Sequence, residues 1–428
     1  MRVIHVNQSD TIGGAAKAAA RIHQALLRSG VDSRFYVAQS SYGDPAVEMT
    51  SSRFDRLVSP VRQRVARALT NRLVTDNPAA HEPALFSTNC ASRLTHSGTD
   101  IAHLHWVSNN MLSIRAIAKL PMPVIWTLHD MWAFCGAEHH THDDRFKSGY
   151  TKDNRPFHES GPDLNRWVWS RKRRLLRRPL QIVTPSNWLA NAARESALMS
   201  DWPIAVIPNA IDTETWTPMN KTMARMSLGL PESLPLVLFG AMGGSSDLNK
   251  GFDLLTTALE RLSMGGDLNL KLLAFGGSRP DGNHSLAFPA KYFGHLHDDL
   301  SLRLLYNAAD VLVIPSRLEN LPNTGVEALA CGTPLVGFDV GGMRDLILHK
   351  ETGYLARAQD SQDLAEGIRW VLAQRDQNLS SPLSAAARRH AEDRFSAPLI
   401  AQQYRRLYET VLQTQNDAQP PTSKSSTI

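Results

Sequence analysis

Short apolar runs recur along the chain at residues 3–6, 34–38, 101–106, 124–128, 182–184 and 205–207, each parted from the next by a polar or helical stretch. Runs this brief and this continuous predict strands buried on both faces of a parallel sheet. Between the first two, Ala15, Ala18, Ala19, Ile22 and Leu26 recur at helical spacing and Gly30 follows as a stop, so the chain opens as a β-α-β unit. The pattern restarts beyond Pro218, where runs at 236–239, 270–275, 311–314 and 335–338 alternate with helical stretches at 252–262 and 300–309. Two α/β domains follow from the repetition, with the Pro- and Asn-bearing segment 208–218 as the hinge. Residues 42–97 show no clear strand, only Arg-rich helical segments such as 60–73. Ile400, Tyr404, Leu407, Tyr408 and Val411 form a last stripe, and from about 415 the Pro, Ser, Thr and Gln content predicts a disordered tail.

The expected division is therefore 1–212, 213–395, a final helix at 396–414 packing back on the first domain, and a tail at 415–428. A chain of 428 residues is long enough for two cores. It holds no apolar run of about 18 residues that could cross a bilayer. No charged-then-apolar leader precedes the first strand, and Cys90, Cys135 and Cys331 are widely spaced in no metal-ligand pattern. The cytoplasm is the expected compartment, without a disulfide framework or a zinc site.

The formal net charge of +5 suits a nucleic acid, an anionic lipid or a polyphosphate-bearing substrate. Its distribution narrows the choice. Arg166, Arg171, Lys172, Arg173, Arg174, Arg177 and Arg178 are interleaved with Trp167, Val168, Trp169, Leu175 and Leu176. One reading is a basic amphipathic helix lying on an anionic membrane surface, aromatic face down. The other is a solvated basic face over a packed Trp/Leu stripe. Neither calls for nucleic acid.

The sharpest chemical signal runs from Pro315 to Pro334, PSRLENLPNTGVEALACGTP. A strand ends at Ile314, a loop carries Glu319, and a helix opens near Thr324 with Glu327 in its first turn. Both carboxylates then lie at the carboxyl edge of a parallel strand, where open α/β sheets bind ligands. Amides at the helix start can hold a phosphate. The alternative is a helix-favouring Glu327 and a solvent-exposed Glu319. Lys250, in Asn249-Lys250-Gly251-Phe252-Asp253, opens another helix as a point charge suited to phosphate. Gly13-Gly14 follows the first strand and lets backbone amides approach a ligand closely. His129, in Thr127-Leu128-His129-Asp130, reads equally as a ligand-facing or a satisfied buried histidine. Asp143-Asp144 and Asp298-Asp299 read as loop or helix-cap acids rather than metal ligands.

The segment 319–334 resembles the Glu-x7-Glu signature of the retaining glycosyltransferases of family 4, with the small-residue-Gly-x-Pro turn that follows it. The resemblance extends from Gly13-Gly14 to the final helix and is similar to that of bacterial exopolysaccharide and lipopolysaccharide glycosyltransferases. It implies the GT-B fold, two Rossmann-like domains facing across a cleft. It also implies that Glu319 contacts the donor sugar, that Glu327 binds the nucleotide ribose, and that amides of Asn320, Leu321, Asn323 and Thr324 touch sugar and phosphate. His129 and the Gly13-Gly14 turn would be the first domain's contributions. The implied activity is metal-independent, retaining transfer from a UDP- or GDP-sugar to a glycan or lipid-linked acceptor in surface polysaccharide synthesis, with no cofactor. The chain departs from the commoner pattern in two places. Ala241-Met242 stands where an Arg is usual after Gly240, and Ala210 stands where glycine is usual in the interdomain segment 206–212. A non-catalytic nucleotide-sugar-binding subunit and a nucleotide-sugar epimerase remain as rival readings.

Overall fold

A computed structural model describes residues 1–40, 45–240, 248–266, 268–277, 286–296, 298–375 and 381–418. It divides into two compact units, Met1–Ile207 with Ile400–Ile428, and Pro208–Leu399. The first holds β1 Arg2–Ser9, β2 Asp32–Gln39, β3 Val47–Met49, β4 Ile101–Leu104, β5 Val124–Thr127, β6 Gln181–Thr184 and β7 Ile204–Val206, in the order β3-β2-β1-β4-β5-β6-β7. The second holds β8 Leu236–Gly240, β9 Lys271–Phe275, β10 Ala290–Tyr292, β11 Val311–Ile314, β12 Leu335–Phe338 and β13 Gly353–Ala356, in the order β10-β9-β8-β11-β12-β13. Every strand pair is parallel.

The two sheets use their faces differently. Side chains alternate across a strand, so each face can be read separately. In the second unit both faces are apolar: Leu236, Leu238, Leu312 and Ile314 pack on one side, Val237, Phe239, Val311 and Val313 on the other. In the first, Ile4, Val6, Ala102, Leu104, Val124 and Trp126 join the large apolar core. The alternate positions His5, His103 and Thr127 are buried as well, but polar. The helix Ala397–Ala418 belongs to this unit from Ile400 onward and inserts Ile400, Tyr404 and Tyr408 into its interior.

In each sheet the strand order reverses at one place, between β1 and β4 in the first and between β8 and β11 in the second. Chain leaving the carboxyl ends of such a neighbouring pair diverges to opposite faces and opens a crevice.

Several elements depart from the sequence expectation. β3, β10 and β13 depart from that reading as short edge strands: β3 and β10 are three half-buried or exposed residues around a charge, and β13 is only Gly353-Tyr354-Leu355-Ala356. The unit boundary falls between Ile207 and Pro208 rather than at 212, because Asn209 Nδ2 donates to Leu321 O and Asn323 Oδ1, at 3.2 and 3.1 Å, and ties this stretch to the second unit. The last helix continues to Ala418, beyond the expected start of a tail at 415; residues 419–428 lie outside the described ones.

The basic segment 166–178 forms the helix Leu164–Leu175, capped by Asp163. Its Leu164, Val168 and Trp169 are part of the apolar core, and Lys172 is fully buried. Of the apolar residues interleaved with the charges, Val168, Trp169 and Leu176 are interior and Trp167 is exposed, so most of the stripe is packed under a solvated basic face. The Lys172 ammonium donates to the carbonyls of Trp132, Cys135 and Gly136 and lies 3.8 Å from the centre of the Trp132 ring. Burial lowers its pKa, and the three carbonyls hold it in place of water. Lys172 thereby pins the turn that follows His129.

Candidate active site

At the β8/β11 reversal, two loops from distant parts of the chain are stitched together. Gly251, at φ +64°, is the residue before the helix Phe252–Met264. A Cβ there would sit 1.9 Å from the Pro315 carbonyl oxygen, so only glycine lets the two loops touch. Arg317 completes the join: its amide donates to Asn249 O, and its guanidinium donates to Leu248 O and grips both oxygens of Asp253. The consequence is a contact between residues 69 apart in sequence, Lys250 Nζ donating to Glu319 Oε2 at 2.9 Å. The Glu319 carboxylate also accepts from Ser316 Oγ at 3.2 Å.

A third loop holds the backbone of Glu319. Gly342 N donates to Glu319 O at 3.0 Å, and Gly341, at φ +54°, approaches so closely that a Cβ would lie 1.9 Å from the same oxygen. Glu319 is thus fixed by chain leaving β8, β11 and β12. Asn320 and Leu321 are buried beyond it. The corner they form is the one braced by Asn209, a residue whose segment was read from sequence only as hinge and wall.

The helix Asn323–Ala330 starts at Pro322 with no side chain capping its first turn. Its amides of Asn323 and Thr324 stand at the positive end of the helix, half-buried. A Cβ on Gly325 would stand 2.4 Å from a Leu346 methyl, so the helix start packs closely on that side chain. Glu327 is buried, and its carboxylate accepts from Tyr306 OH at 2.9 Å. Tyr306 stacks edge-on against Phe275 at the end of β9, with centroids 5.9 Å apart. Gly276 N donates to Gly294 O at 2.7 Å, which joins the chain leaving β9 to the chain leaving β10. The segment 241–247, with Ala241-Met242 in place of the usual Arg, lies outside the described residues.

At the β1/β4 reversal the chemistry is of another kind. Gly13, at φ +91°, has open space where a Cβ would stand and precedes the helix Gly14–Arg28, which no side chain caps. Beside it the buried polar face of the sheet forms a chain of imidazoles. His5 Nδ1 lies 3.0 Å from His105 Nε2, and His105 Nδ1 lies 3.2 Å from His129 Nε2. His5 Nε2 is buried with no partner. A bare lone pair is easier to bury than a bare N–H, which assigns the protons: His5 donates to His105, and His105 donates to His129. His103 stacks on His105 with centroids 4.3 Å apart, and its two nitrogens meet Tyr408 OH and Thr127 Oγ1, each at 2.7 Å.

Burial, and secondarily the neighbouring imidazoles, hold His5 and His105 well below the usual histidine range. Burial pushes His103 down to about 3 and His129 to about 4. The whole column is neutral at physiological pH. His5, His103 and His105 offer nitrogens close enough for a metal ion. The rings of His103 and His105, and of His5 and His105, are stacked, so their lone pairs run side by side instead of converging, and a hydrogen-bonded column fits the geometry better. Next to His129, burial alone would raise the Asp130 carboxyl, but His139 Nδ1 at 2.6 Å and the Trp132 amide hold it below the usual carboxylate range. Asp298 caps the helix Asp299–Ala308 through Ser301 N, and Asp143 accepts from Arg145, so these acidic pairs serve local structure.

Residues 12–215 match the family model described as Glycosyltransferase Family 4, and residues 236–374 match that described as Glycosyl transferases group 1. Each unit is thus similar, over most of its length, to a glycosyltransferase family model. A curated relative from Xylanimonas cellulosilytica, named D-inositol 3-phosphate glycosyltransferase, is 33% identical over 243 residues, covering 51% of this chain and 57% of the relative. The chain spans about half the length of the curated relatives it matches. Among solved structures, a sucrose-phosphate synthase from Thermosynechococcus elongatus has a TM-score of 0.65 at 18% identity, over 97% of this chain and all of that one. HepE of Anabaena in complex with UDP-glucose has a TM-score of 0.60 at 16% identity, over 97% of this chain and 100% of that one. These likenesses bear out the α/β fold class of paired Rossmann-like domains seen in GT-B glycosyltransferases. The relative's name points to a phosphorylated polyol where the sequence resemblance pointed to surface polysaccharide. Among the described residues no helix is long and apolar enough to cross a membrane.

Proposed function

We propose that this chain transfers a sugar from a nucleotide-sugar donor to an acceptor hydroxyl, with retention of anomeric configuration and without a metal ion. The observation that carries the reading is the Lys250–Glu319 pair set at the β8/β11 reversal beside an uncapped helix start. Breaking the bond from the anomeric carbon to the diphosphate puts negative charge on the leaving group and positive charge on the sugar ring. A site must stabilise both ends. Lys250 and the amides at Asn323 and Thr324 supply the positive side, and Glu319 the negative side and the sugar hydroxyl contacts. Glu327, with Tyr306 beside it, is the carboxylate for the ribose. Within the first domain, neutral His129 and the Gly13-Gly14 turn offer a polar side chain and backbone amides without adding charge.

With retention, the departing diphosphate accepts the acceptor's proton on the face it leaves, and no protein nucleophile is required. Lys250 supplies the compensation a divalent ion would otherwise give. HepE is described with UDP and UDP-glucose, which makes UDP-sugars the first donors to test. The curated relatives' name makes a phosphorylated polyol the first acceptor, ahead of lipid-linked glycan intermediates.

The test is nucleotide release from UDP- and GDP-sugars across those two acceptor classes, in chelator, with the anomeric configuration of the product read by NMR. Acceptor-dependent release with retention supports the proposal. Binding without release assigns the chain as a nucleotide-sugar-binding subunit, and an isomerised donor formed without acceptor assigns an epimerase.

A further inference from the structure

The helix Arg53–Thr70, RFDRLVSPVRQRVARALT, touches the first domain along a narrow line. Asp55 and Ala66 are its buried residues, and Asp55 anchors it through Ser52, Asn89 N and Arg62. About a third of a turn away, at steps of about 100° per residue, Phe54, Leu57, Val61 and Val65 form a continuous apolar stripe along the axis. These residues are 65%, 77%, 65% and 41% exposed. An amphipathic helix normally turns such a stripe to the core. Here it faces outward on a helix secured by a capping box, so it is presented rather than frayed.

The charges around the stripe are of one sign. Arg53 and Arg64 flank it beside Leu57, and Arg56 and Arg67 follow on the next arc, all four exposed. The only acid, Asp55, is buried and paired with Arg62 at 2.9 Å. Exposed apolar side chains bordered by arginines, with no exposed acid on the helix, complement a surface that is apolar within and anionic at its edge. A bilayer bearing anionic headgroups has that profile.

We propose that the helix Arg53–Thr70 is a membrane-contact element, seating Phe54, Leu57, Val61 and Val65 among the acyl chains of an anionic bilayer with Arg53, Arg56, Arg64 and Arg67 at the headgroups. The helix Leu164–Leu175, also basic in sequence, has Leu164, Val168 and Trp169 in the core and only Trp167 as an exposed large apolar side chain, so it offers no such stripe. The proposal stands apart from the choice of donor and acceptor.

Co-sedimentation of the full chain with vesicles tests it, using phosphatidylcholine alone and phosphatidylcholine mixed with phosphatidylglycerol. Binding is expected to the anionic vesicles and to weaken with salt. Phe54→Ser with Leu57→Ser lowers partitioning by about tenfold or more, and Arg53→Glu with Arg64→Glu by a similar factor. All four positions are exposed, so melting temperatures stay near that of the unaltered chain. Arg173→Glu with Arg174→Glu, on the other helix, leaves partitioning within about twofold. Wild-type binding by the Phe54/Leu57 variant overturns the proposal, as does loss of binding in the Arg173/Arg174 variant or equal binding to neutral vesicles. Light scattering that shows a dimer dissolved by Phe54→Ser and Leu57→Ser assigns the stripe to a second copy of the chain and overturns it too.

Discussion

The two sheet reversals have the same topology and opposite chemistry. At β8/β11 the side chains are charged and partly open, Lys250 and Glu319 in contact with a helix start nearby. At β1/β4 they are aromatic and neutral, with His5, His103 and His105 buried, His129 half-buried, and Tyr404, Tyr408 and Thr127 bracing them. The fold supplies a crevice in each case, and what lines it decides what can bind. An ion pair near water is cheap to reorganise around a diphosphate. A column of neutral imidazoles carries no charge to attract one and is suited to holding one polar side chain in a single orientation. Under the proposed function, the charged reversal is the one suited to an anion, and the neutral one is suited to holding a polar group in place.

Breaking the charged side has the largest expected effect. Glu319→Ala should lower turnover on the order of a thousandfold. Diphosphate affinity should hold within about threefold, because the mutation also releases Lys250 from its partner. Steady-state kinetics beside calorimetry measure both, and turnover within about tenfold of the unaltered enzyme excludes Glu319 from the reacting centre.

Acid should act next, and on the neutral side. His103 and His129 have depressed pKa values, about 3 and about 4, so the unfolded chain binds more protons than the folded one below the ordinary histidine value. Their contribution is complete above about pH 6.5 and declines as pH falls toward those folded values, at about 1.4 kcal/mol per pH unit for each histidine that stays neutral in the fold. Denaturant melts between pH 7.5 and pH 5 should show stability falling steeply only in the lower half of that range, and a flat profile contradicts the neutral column.

The smallest effect should come from the link between His105 and His129. His105→Leu removes the donor to His129 and should lower turnover about tenfold with unchanged nucleotide affinity, and His105→Gln, which keeps a donor, should recover part of it. Equal loss in both variants assigns His105 to packing alone.

The central strands were legible because burial on both faces leaves an unbroken apolar run, as in 311–314 and 335–338. Edge strands such as Ala290–Tyr292 leave none. Glu319, Glu327 and Lys250 were visible as chemistry-bearing residues at strand and helix ends. The contact between Lys250 and Glu319 depends on Gly251 fitting against Pro315, a tertiary fact with no local signature. The histidine column was missed for a related reason. The alternation in Ile101-Ala102-His103-Leu104-His105 marks a strand with two faces, and only the arrival of Tyr404 and Tyr408 from 300 residues away makes the histidine face an interior. Lys172 stood in a run of arginines, and nothing in its neighbours set it apart as the one turned inward.

The central claim is that Lys250 meets the donor's diphosphate. Calorimetric titration of UDP and GDP into the unaltered chain and into Lys250→Ala tests it most directly. The nucleotide bound by the former should be held about tenfold to a hundredfold more weakly by the latter. Equal dissociation constants for the two proteins would contradict it.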